Sequence, residues 1–402
     1  MVGGGAVGVA CAYELARRGA TVTLLEREAA VGLGCSAGNA GLIGADLALP
    51  LATPAALREG LGSLFDDGAP FHLRPRPAVL PWLLRFALAC SPGRHRRAAA
   101  ALAPLGVDSY RRHLAYAAAG LDVGLQQRGA LLTWETEAGF EAGVRELRAE
   151  DVRSAVYGRR EAAALEPALA PGIAGAIVAE EVAHADSGRW TRGIAGAAEA
   201  AGAELRLGEP VARLLVEGSR VTGVETEKGP LYATTTVVAA GVWSDRLLRG
   251  AGLRVPLEPG KGYHVDLAPA DHELRMPVYM QEAHVVATPL AGRLRLAGTL
   301  ELSGFDGAID QRRTDGILAG AGRNLGGIEK REVLELWSGL RPCTSDGMPV
   351  IGRPEAVDGL LVATGHAMIG LTLAPVTGAL IAELASGVTP SFNLAAFRPD
   401  RF

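Results

Sequence analysis

The chain opens with Val2-Gly3-Gly4-Gly5-Ala6-Val7-Gly8, which has the spacing Gly-x-Gly-x-x-Gly. An apolar run with helical period follows, and Thr21-Val22-Thr23-Leu24-Leu25-Glu26 then has the pattern of a β-strand that ends in an acid. In such a unit Gly3 makes the tight turn, Gly5 lets the backbone approach a pyrophosphate, and Gly8 lets helix and strand pack closely. The helix N-terminus attracts phosphate, and the acid at the end of the strand accepts hydrogen bonds from the ribose hydroxyls. The stretch therefore predicts a dinucleotide-binding domain.

The strand that normally enters this turn is almost missing. Only Met1 and Val2 precede Gly3, whereas a buried parallel strand of about five residues is usual at this point. Its absence would leave the neighbouring strands without hydrogen-bond partners. We therefore expect a misassigned start codon or a truncation, with the rest of the strand encoded upstream.

Composition sets outer bounds on function. At about 150 residues per domain, 402 residues predict two to three domains. The 40 basic and 44 acidic side chains leave a net charge of −4, which argues against nucleic acid as a partner. The four cysteines form no Cys-x-x-Cys pair and the eight histidines show no metal-ligand spacing, so we expect a reduced, cytoplasmic protein without a metal site.

Two later segments resemble further parts of a nucleotide-binding domain. The run from Leu231 to Gly241 is a strand that ends in small residues, which let backbone lie against a planar ligand. A second strand enters the turn at Gly365, and residues 366–372 lead into a predicted helix from Ala374 to Ser386. The N-terminus of that helix suits a ring that becomes anionic on reduction. A flavin makes this demand and a nicotinamide does not, so the pattern favours FAD.

In combination, the motifs resemble those of the FAD-dependent amino-acid oxidoreductase superfamily, and the resemblance covers nearly the whole chain. This superfamily includes D-amino acid dehydrogenases, glycine and sarcosine oxidases and hydroxyproline dehydrogenases, and the D-amino acid dehydrogenase branch is the most similar. The motifs are the opening glycines with Glu26-Arg27, Cys35-Ser36-Ala37-Gly38-Asn39-Ala40-Gly41, Lys261-Gly262-Tyr263-His264, Leu296-Ala297-Gly298-Thr299-Leu300-Glu301, Trp337-Ser338-Gly339-Leu340-Arg341-Pro342, Asp346-Gly347-Met348-Pro349-Val350-Ile351-Gly352, and Gly365-His366 through Leu373-Ala374-Pro375.

The resemblance implies a cofactor and a reaction. The cofactor is FAD, held without a covalent bond because Cys343 does not match the spacing of relatives that attach it. The reaction is removal of a hydride from Cα of an amino acid, giving an imine that water hydrolyses to the oxo acid. The implied cofactor contacts are Gly3, Gly5, Ala6, Val7, Gly8, Glu26, Arg27, Ser36, Asn39, Ala40, Gly41, Val211, Gly241, His366, Ile369, Gly370, Leu371 and Thr372.

Three side chains are candidates for the catalytic site. Arg341 stands in the segment that binds the substrate carboxylate in relatives, and a guanidinium suits this task because its planar fork binds both oxygens. Tyr263 is either a hydroxyl donor to the carboxylate or a packing residue, and only one of Tyr263 and His264 can face the site on an alternating strand. His284, expected on a strand from Ala283 to Thr288, is either a site-lining residue or a structural one.

The expected fold class is α/β with antiparallel β: a Rossmann-like FAD-binding domain (1–55, 185–258 and 335–402) interleaved with a substrate domain (56–184 and 259–334) built on an antiparallel sheet with helices. Residues 81–97 combine apolar side chains with arginines, and they form either a solvated helix pair or a peripheral contact at the inner face of the cell membrane. The electron acceptor, quinone or oxygen, and the oligomeric state stay open.

Three functions remain in competition. The first is a dehydrogenase of D-amino acids, and the second is a glycine or sarcosine oxidase or a D-hydroxyproline or proline dehydrogenase. The third is a non-enzymatic relative, such as a flavin-poor subunit.

Overall fold

The computed structural model describes residues 1–62, 71–74, 76–149, 154–270 and 273–402. The helices are α1 (Ala6–Ala16), α2 (Pro54–Gly62), α3 (Leu80–Ala89), α4 (Pro92–Ala118), α5 (Glu137–Ala149), α6 (Arg159–Leu165), α7 (Ser187–Ala200), α8 (Ser244–Arg249), α9 (Gln311–Asn324) and α10 (Gly370–Ala385). The strands are β1 (Thr23–Leu25), β2 (Leu42–Gly44), β3 (Phe71–Leu73), β4 (Ala130–Trp134), β5 (Ser154–Gly158), β6 (Gly175–Ala179), β7 (Val182–His184), β8 (Glu204–Arg206), β9 (Val211–Glu217), β10 (Arg220–Thr226), β11 (Gly229–Tyr232), β12 (Thr236–Val238), β13 (Leu257–Leu267), β14 (Val278–Met280), β15 (Val285–Leu290), β16 (Arg293–Leu302), β17 (Val333–Thr344), β18 (Val350–Gly352) and β19 (Leu360–Thr364).

A layer of short, mostly parallel strands carries the opening glycine turn. β1 pairs in parallel with β8, and β12 pairs in parallel with β19, which continues to β18. Val2 lies between the two pieces and forms parallel bridges with both Leu25 and Val238. The backbone N–H of Val2 donates to the carbonyl of Val237, and that of Gly3 donates to the carbonyl of Leu25, both at 2.9 Å. A single residue thus joins the two pairs at the point where the sequence predicts a strand.

Helices cover this layer and bury its apolar side chains. α1 is apolar on nearly every side, and it packs closely against α10 because Gly378 has no side chain: a Cβ there would lie 2.6 Å from the carbonyl oxygen of Ala10. α7 and the buried face of α4, with Leu102 and Leu105, complete the same core. α4 therefore packs on the nucleotide-binding layer, although the sequence assigns it to the substrate domain.

The second layer is a sheet that has nine strands in the described part of the chain. Its order is β17-β13-β16-β15-β14-β4-β6-β5, with β3 beside β16, and most pairs are antiparallel. α9 packs on this sheet over a second apolar core that includes Val265, Leu296 and Ile317. The two layers confirm the predicted α/β fold class with an antiparallel second sheet, while the predicted domain boundaries stay a prediction.

None of the helices in the described part of the chain has the length and apolar character needed to cross a membrane.

Candidate active site

A cavity of about 360 Å³ lies between the two layers. Its walls come from the opening turn and α1, the loop at residues 34–39, the turn after β12, the start of β9, one face of β17, and the approach to α10. The cavity is therefore built from segments that are far apart in sequence.

The opening turn has the geometry that its glycines predict. Gly3 has φ +105°, which a residue with a side chain rarely adopts. A Cβ on Gly8 would lie 2.0 Å from the carbonyl oxygen of Gly3, so only glycine allows this approach of helix and strand. Ser36 accepts a hydrogen bond from the backbone N–H of Ala6 at 2.9 Å, which ties the loop at residues 34–39 to the start of α1. The turn leaves an open N-terminus of α1 at the cavity wall.

A fixed carboxylate lies where the ribose of a dinucleotide belongs. One oxygen of Glu26 accepts a hydrogen bond from the backbone N–H of Gly4 at 2.6 Å, and the other accepts from that of Glu28 at 2.9 Å. Beside it, the guanidinium carbon of Arg27 lies 3.5 Å from the ring centroid of Trp243. Arg246 also lines the cavity and adds positive charge to its wall.

The approach to α10 forms a further part of the cavity wall. His366 is buried, and its Nε2 lies 3.0 Å from the hydroxyl of Thr377. Burial lowers the pKa of His366 to about 3, so this imidazole is neutral at physiological pH. The side-chain amide of Asn39 donates to the carbonyl of Met368 at 3.1 Å, which joins the loop at residues 34–39 to this segment. Gly370 then begins the helix at the cavity wall.

Arg341 is the cation of the deep part of the cavity. One of its guanidinium nitrogens donates to the carbonyl of Thr299 at 2.8 Å, and Thr299 has the left-handed φ of +64°. The guanidinium lies directly over Gly262, where a Cβ would be 2.1 Å from Cζ. Burial lowers the pKa of Arg341, yet a guanidinium keeps its charge at neutral pH. Within the described ranges, no carboxylate pairs with Arg341.

An aromatic wall stands next to this cation. Trp337 stacks on His264 at 5.0 Å between ring centroids, with the rings inclined by 9°. Its indole lies directly against Gly38 and Gly339. A Cβ at either position would come within 2.0 Å of the ring, so only glycine leaves room for it. Two glycines in two separate motifs thus make room for one tryptophan. The sequence motifs include Trp337, but the sequence analysis does not predict that it forms a wall of the site. The glycines at positions 38 and 339 were the sequence feature that could have indicated a large ring packed against them.

Buried ion pairs hold this wall in place. Asp266 accepts hydrogen bonds from two nitrogens of Arg295 at 2.8 and 2.9 Å, and the Nε of Arg293 lies 2.8 Å from the same carboxylate. Arg295 also donates to the carbonyl of Ala37 at 2.7 Å and so fastens the loop at residues 34–39 to the sheet. Asp266 lies near His264 and Glu335 in a cluster of metal-ligand type, but its carboxylate is already neutralised by the two guanidinium groups.

The structure brings most of the predicted cofactor contacts to one cavity. Of the predicted residues, those that line the cavity are Gly3, Gly5, Ala6, Val7, Gly8, Glu26, Arg27, Ser36, Asn39, Val211, Gly241, His366, Gly370 and Leu371, together with Arg341. Ala40, Gly41, Ile369 and Thr372 are not part of the wall. Ala40 and Thr372 instead make packing hydrogen bonds: the carbonyl of Ala40 accepts from Thr288 at 2.7 Å, and the hydroxyl of Thr372 donates to the carbonyl of Leu42 at 3.2 Å.

Two of the three predicted catalytic side chains lie away from the cavity wall. Tyr263 is fully buried, and its hydroxyl donates to Glu301 at 2.6 Å beside Lys261, so it is part of the packing of the sheet. His284 is exposed on a turn with φ +49°, and the strand begins only at Val285, not at Ala283. Alternation along a strand predicts which residues share a face, but not which face meets the ligand, so the sequence leaves both roles open for Tyr263 and the structure places its hydroxyl on Glu301.

The residues of the cavity fit FAD. A Cβ-free turn, the open start of α1 and the fixed carboxylate of Glu26 form one continuous cradle for a dinucleotide. The cradle continues to the start of α10, where small residues and backbone adjoin Arg341 and Trp337. Fold and site together define a nucleotide-dependent oxidoreductase with a cationic pocket beside its cofactor.

Comparison with known proteins gives the family. Residues 1–384 match the family of FAD dependent oxidoreductases. The chain is 35% identical over 416 residues to a D-amino acid dehydrogenase of Cereibacter sphaeroides, covering all of this chain and 94% of that protein. It is 34% identical over 417 residues to a D-amino acid dehydrogenase of Paramagnetospirillum magneticum, covering all of this chain and 98% of that protein. The chain therefore belongs to the FAD dependent oxidoreductase family, and the predicted cofactor is confirmed as FAD.

Solved structures share the fold. A glycine oxidase from Geobacillus kaustophilus superimposes with a TM-score of 0.82 at 27% identity, covering all of this chain and 97% of that one. An L-proline dehydrogenase from P. horikoshii has a TM-score of 0.76 at 22% identity over all of this chain and 96% of that one. At this identity the second likeness concerns the fold alone.

Proposed function

We propose that this enzyme is a D-amino acid dehydrogenase, which oxidises the Cα–N bond of a D-amino acid with FAD as the first acceptor. The observation that carries the proposal is the guanidinium of Arg341 in the wall of the cofactor cavity, which has no carboxylate partner among the described residues. A partly buried positive charge without an opposite charge beside it is costly, so the site is suited to an anion that arrives with the substrate. A carboxylate matches the planar fork of arginine with two parallel hydrogen bonds.

The residues around Arg341 orient the substrate. The carbonyl of Thr299 fixes one side of the guanidinium, and Gly262 leaves room for it to lie flat over β13. Trp337 and Leu340 form the adjoining wall and exclude water from the substrate. Held in this way, the carboxylate fixes where the Cα–H bond points. Such positioning is the main contribution that a protein makes when its cofactor supplies the chemistry.

The acid–base demands of the reaction are small. Bound FAD supplies an acceptor for the two electrons and the hydrogen that leave Cα. The substrate amine has to be neutral at that stage, and the resulting imine is hydrolysed by water. His366 lies at the cavity wall but is held neutral by burial and faces Thr377. We therefore assign His366 to the shape of the site rather than to proton transfer.

The choice of D-amino acids is supported by the full-length relatives that carry this name. Oxidation of glycine or of a related small amine is the second candidate, favoured by the similarity to a glycine oxidase over the whole chain. The two candidates differ in the electron acceptor as well as in the substrate. A dehydrogenase passes its electrons to an acceptor such as a quinone, whereas an oxidase passes them to oxygen.

Anaerobic reduction of the bound flavin tests the proposal. The FAD-loaded protein is mixed with D-amino acids, their L-enantiomers, glycine, sarcosine and both isomers of proline and hydroxyproline, and loss of flavin absorbance is followed. We expect several D-amino acids to bleach the flavin faster than their L-enantiomers do. Oxygen uptake without an added acceptor is then compared with turnover on a soluble quinone. Fast bleaching by glycine or sarcosine with steady oxygen uptake would favour the second candidate.

The attachment of FAD is proposed to be non-covalent. Cys343 is buried with its sulfur towards Gly260, and burial raises the pKa of its thiol to about 12, so it is a poor nucleophile. Cys35 lines the cavity, and burial raises the pKa of its thiol as well. We expect all of the flavin to stay in the supernatant when the protein is precipitated with acid. Flavin that remains in the pellet through Cys35 would contradict this expectation.

A further inference from the structure

The neighbouring strands β13 and β17 present two bare glycines to the cofactor cavity. Gly262 pairs directly with Gly339 across the strands, and together they are termed the glycine floor. The guanidinium of Arg341 lies over Gly262, and the indole of Trp337 lies over Gly339. Alternate residues of a strand share a face, so positions 337, 339 and 341 lie on the side of β17 that lines the cavity. The glycine floor is therefore bounded by a cation on one side and by an aromatic ring on the other.

The indole of Trp337 is held by contacts on several sides. Its ring stacks on that of His264, the residue directly opposite on β13, with 5.0 Å between the centroids and 9° between the planes. A Cβ on Gly38 would come 2.0 Å from Cζ3 of Trp337, so the same ring also touches the loop at residues 34–39. The indole therefore bridges β17 and this loop, and it forms a fixed part of the cavity wall.

The imidazole of His264 is itself fixed by its surroundings. The residue is buried, and its Nε2 lies 3.5 Å from a carboxylate oxygen of Glu335 and 3.8 Å from one of Asp266. Asp266 is in turn held by two hydrogen bonds from Arg295 at 2.8 and 2.9 Å. This buried network sets the plane of the imidazole, and the stacked ring of Trp337 follows that plane.

We propose that Trp337 is a specificity-determining residue. Its indole limits how far the group attached to the substrate carboxylate extends over the glycine floor, and His264 is the residue that positions the indole. The inference rests on the proposed function in one respect, the assignment of Arg341 as the carboxylate site. An apolar chain on a carboxylate held by Arg341 lies beside the indole and packs on it until the ring stops it. Each methylene that an apolar pocket accepts or rejects changes binding about 10- to 200-fold, so a fixed wall converts chain length into selectivity.

Binding of unreactive carboxylates to the FAD-loaded protein tests the inference apart from turnover. Acetate, propionate, butyrate and pentanoate carry one carboxylate on chains of increasing length, and they have no amine to oxidise. Their Kd values are measured from the change in flavin absorbance. In the wild type, affinity should stop rising once the chain reaches the indole. In Trp337→Leu it should keep rising, so that the affinity for pentanoate relative to propionate increases at least about tenfold.

Further variants separate the positioning role from simple packing. His264→Leu removes the flat ring on which the indole stacks, so it should shift the same affinity ratio in the direction of Trp337→Leu, by about two- to tenfold. His264→Phe keeps a flat ring and should restore the wild-type ratio. Trp337→Phe keeps a smaller ring at the wall and should give a smaller shift than Trp337→Leu. Leu334→Ala, at an exposed position of the same strand, is the control and should keep the wild-type ratio. Flavin content and thermal unfolding verify that each variant folds.

Three results would overturn the inference. An unchanged affinity ratio in folded Trp337→Leu and Trp337→Phe would make the indole a packing residue only. Equal weakening of all four acids in these variants would assign it to the carboxylate site and not to chain length. If none of the acids binds the wild type, the inference is overturned together with the role of Arg341. Failure of the proposed function has a different signature, because D-amino acids then leave the flavin oxidised while the acids still bind in an order that depends on Trp337.

Discussion

Arg341 and Gly262 form a matched pair across two strands. β13 and β17 are antiparallel neighbours, with Gly262 opposite Gly339, and the guanidinium of Arg341 crosses back over Gly262. A side chain at position 262 would occupy the place of the guanidinium itself. The missing Cβ is therefore part of the proposed carboxylate site, because it leaves the space that the guanidinium of Arg341 occupies.

Gly262→Ala should damage the site and spare the fold. The added Cβ meets the far end of a flexible side chain, so the guanidinium moves while the strands stay paired. We expect kcat/KM for the amino-acid substrate to fall roughly 10- to 100-fold, since a displaced binding group loses both affinity and alignment. Steady-state kinetics measures the change. Gly322→Ala on α9, where a Cβ meets nothing within 4 Å, should keep wild-type kinetics, and equal kinetics for both variants would refute the pairing.

At the scale of single residues, the sequence predicts which side-chain types the site needs better than it predicts which way those side chains point. The need for a guanidinium beside the cofactor led to Arg341, which the structure places in the cavity wall. The same reasoning offered Tyr263, whose hydroxyl turns out to bind Glu301 inside the sheet. Which face of a strand meets the cavity depends on the neighbouring layer, and this information is not local to the strand.

The start of α1 packs with its backbone directly against the backbone of the turn that precedes it. Gly8 faces the carbonyl of Gly3, and Gly3 faces the carbonyl of Ala239, the residue that follows β12. Because backbone atoms cannot rotate away, a methyl group at either glycine opens the turn. The start of α1 would then move away from the position where phosphate is bound.

Gly8→Ala should therefore reduce cofactor retention. A Cβ 2.0 Å from a carbonyl oxygen is an overpacked contact, which costs about 1–3 kcal/mol. We expect FAD affinity to fall about tenfold or more, measured as flavin per protein after dialysis and by titration with FAD. Gly196→Ala on α7 is the control, since a Cβ there meets nothing within 4 Å. Full flavin content in Gly8→Ala would mean that the turn does not hold the dinucleotide.

Elements with local signals were predicted well, and their long-range pairing was not. The glycine turn, the strand before Glu26 and the helix after Gly365 follow from period and turn chemistry, and the structure confirms each of them, with the helix starting at Gly370 and not at Ala374. The packing of α4 on α10 could not be read from the sequence, because its apolar face fits either layer. The single bridging residue Val2 was equally unforeseen, since strand prediction needs several residues.

At the scale of the whole molecule, burial lowers the pKa of four histidines, His113, His184, His264 and His366, and this couples stability to pH. Burial is the main cause that lowers the pKa of His113 and of His184 to about 4 and that of His366 to about 3. The folded protein keeps these rings neutral, whereas the unfolded chain protonates them below about pH 6.5. The unfolded state then binds more protons, so stability is lost as pH falls from about 6.5 towards 4.

The loss of folding stability should be steep between pH 6.5 and 5, a range in which ordinary carboxyl groups stay ionised. Each histidine contributes a decrease of about 1.4 kcal/mol per pH unit in the free energy of unfolding. Urea unfolding at closely spaced pH values measures this slope. His113→Gln should show a shallower slope than the wild type, whatever its stability at pH 7. A wild-type curve that is flat over this range would contradict the assignment of neutral buried rings.

The two layers meet at the cofactor cavity, where we propose that Arg341 binds the substrate carboxylate. The most direct measurement is the anaerobic rate of flavin reduction by a reactive D-amino acid and by its primary amide, in the wild type and in Arg341→Ala. Wild type should prefer the acid by about two orders of magnitude or more, and the variant should lose most of this preference while still binding FAD. Equal rates with acid and amide in the wild type, or an unchanged preference in Arg341→Ala, would contradict the claim that this guanidinium binds the substrate carboxylate.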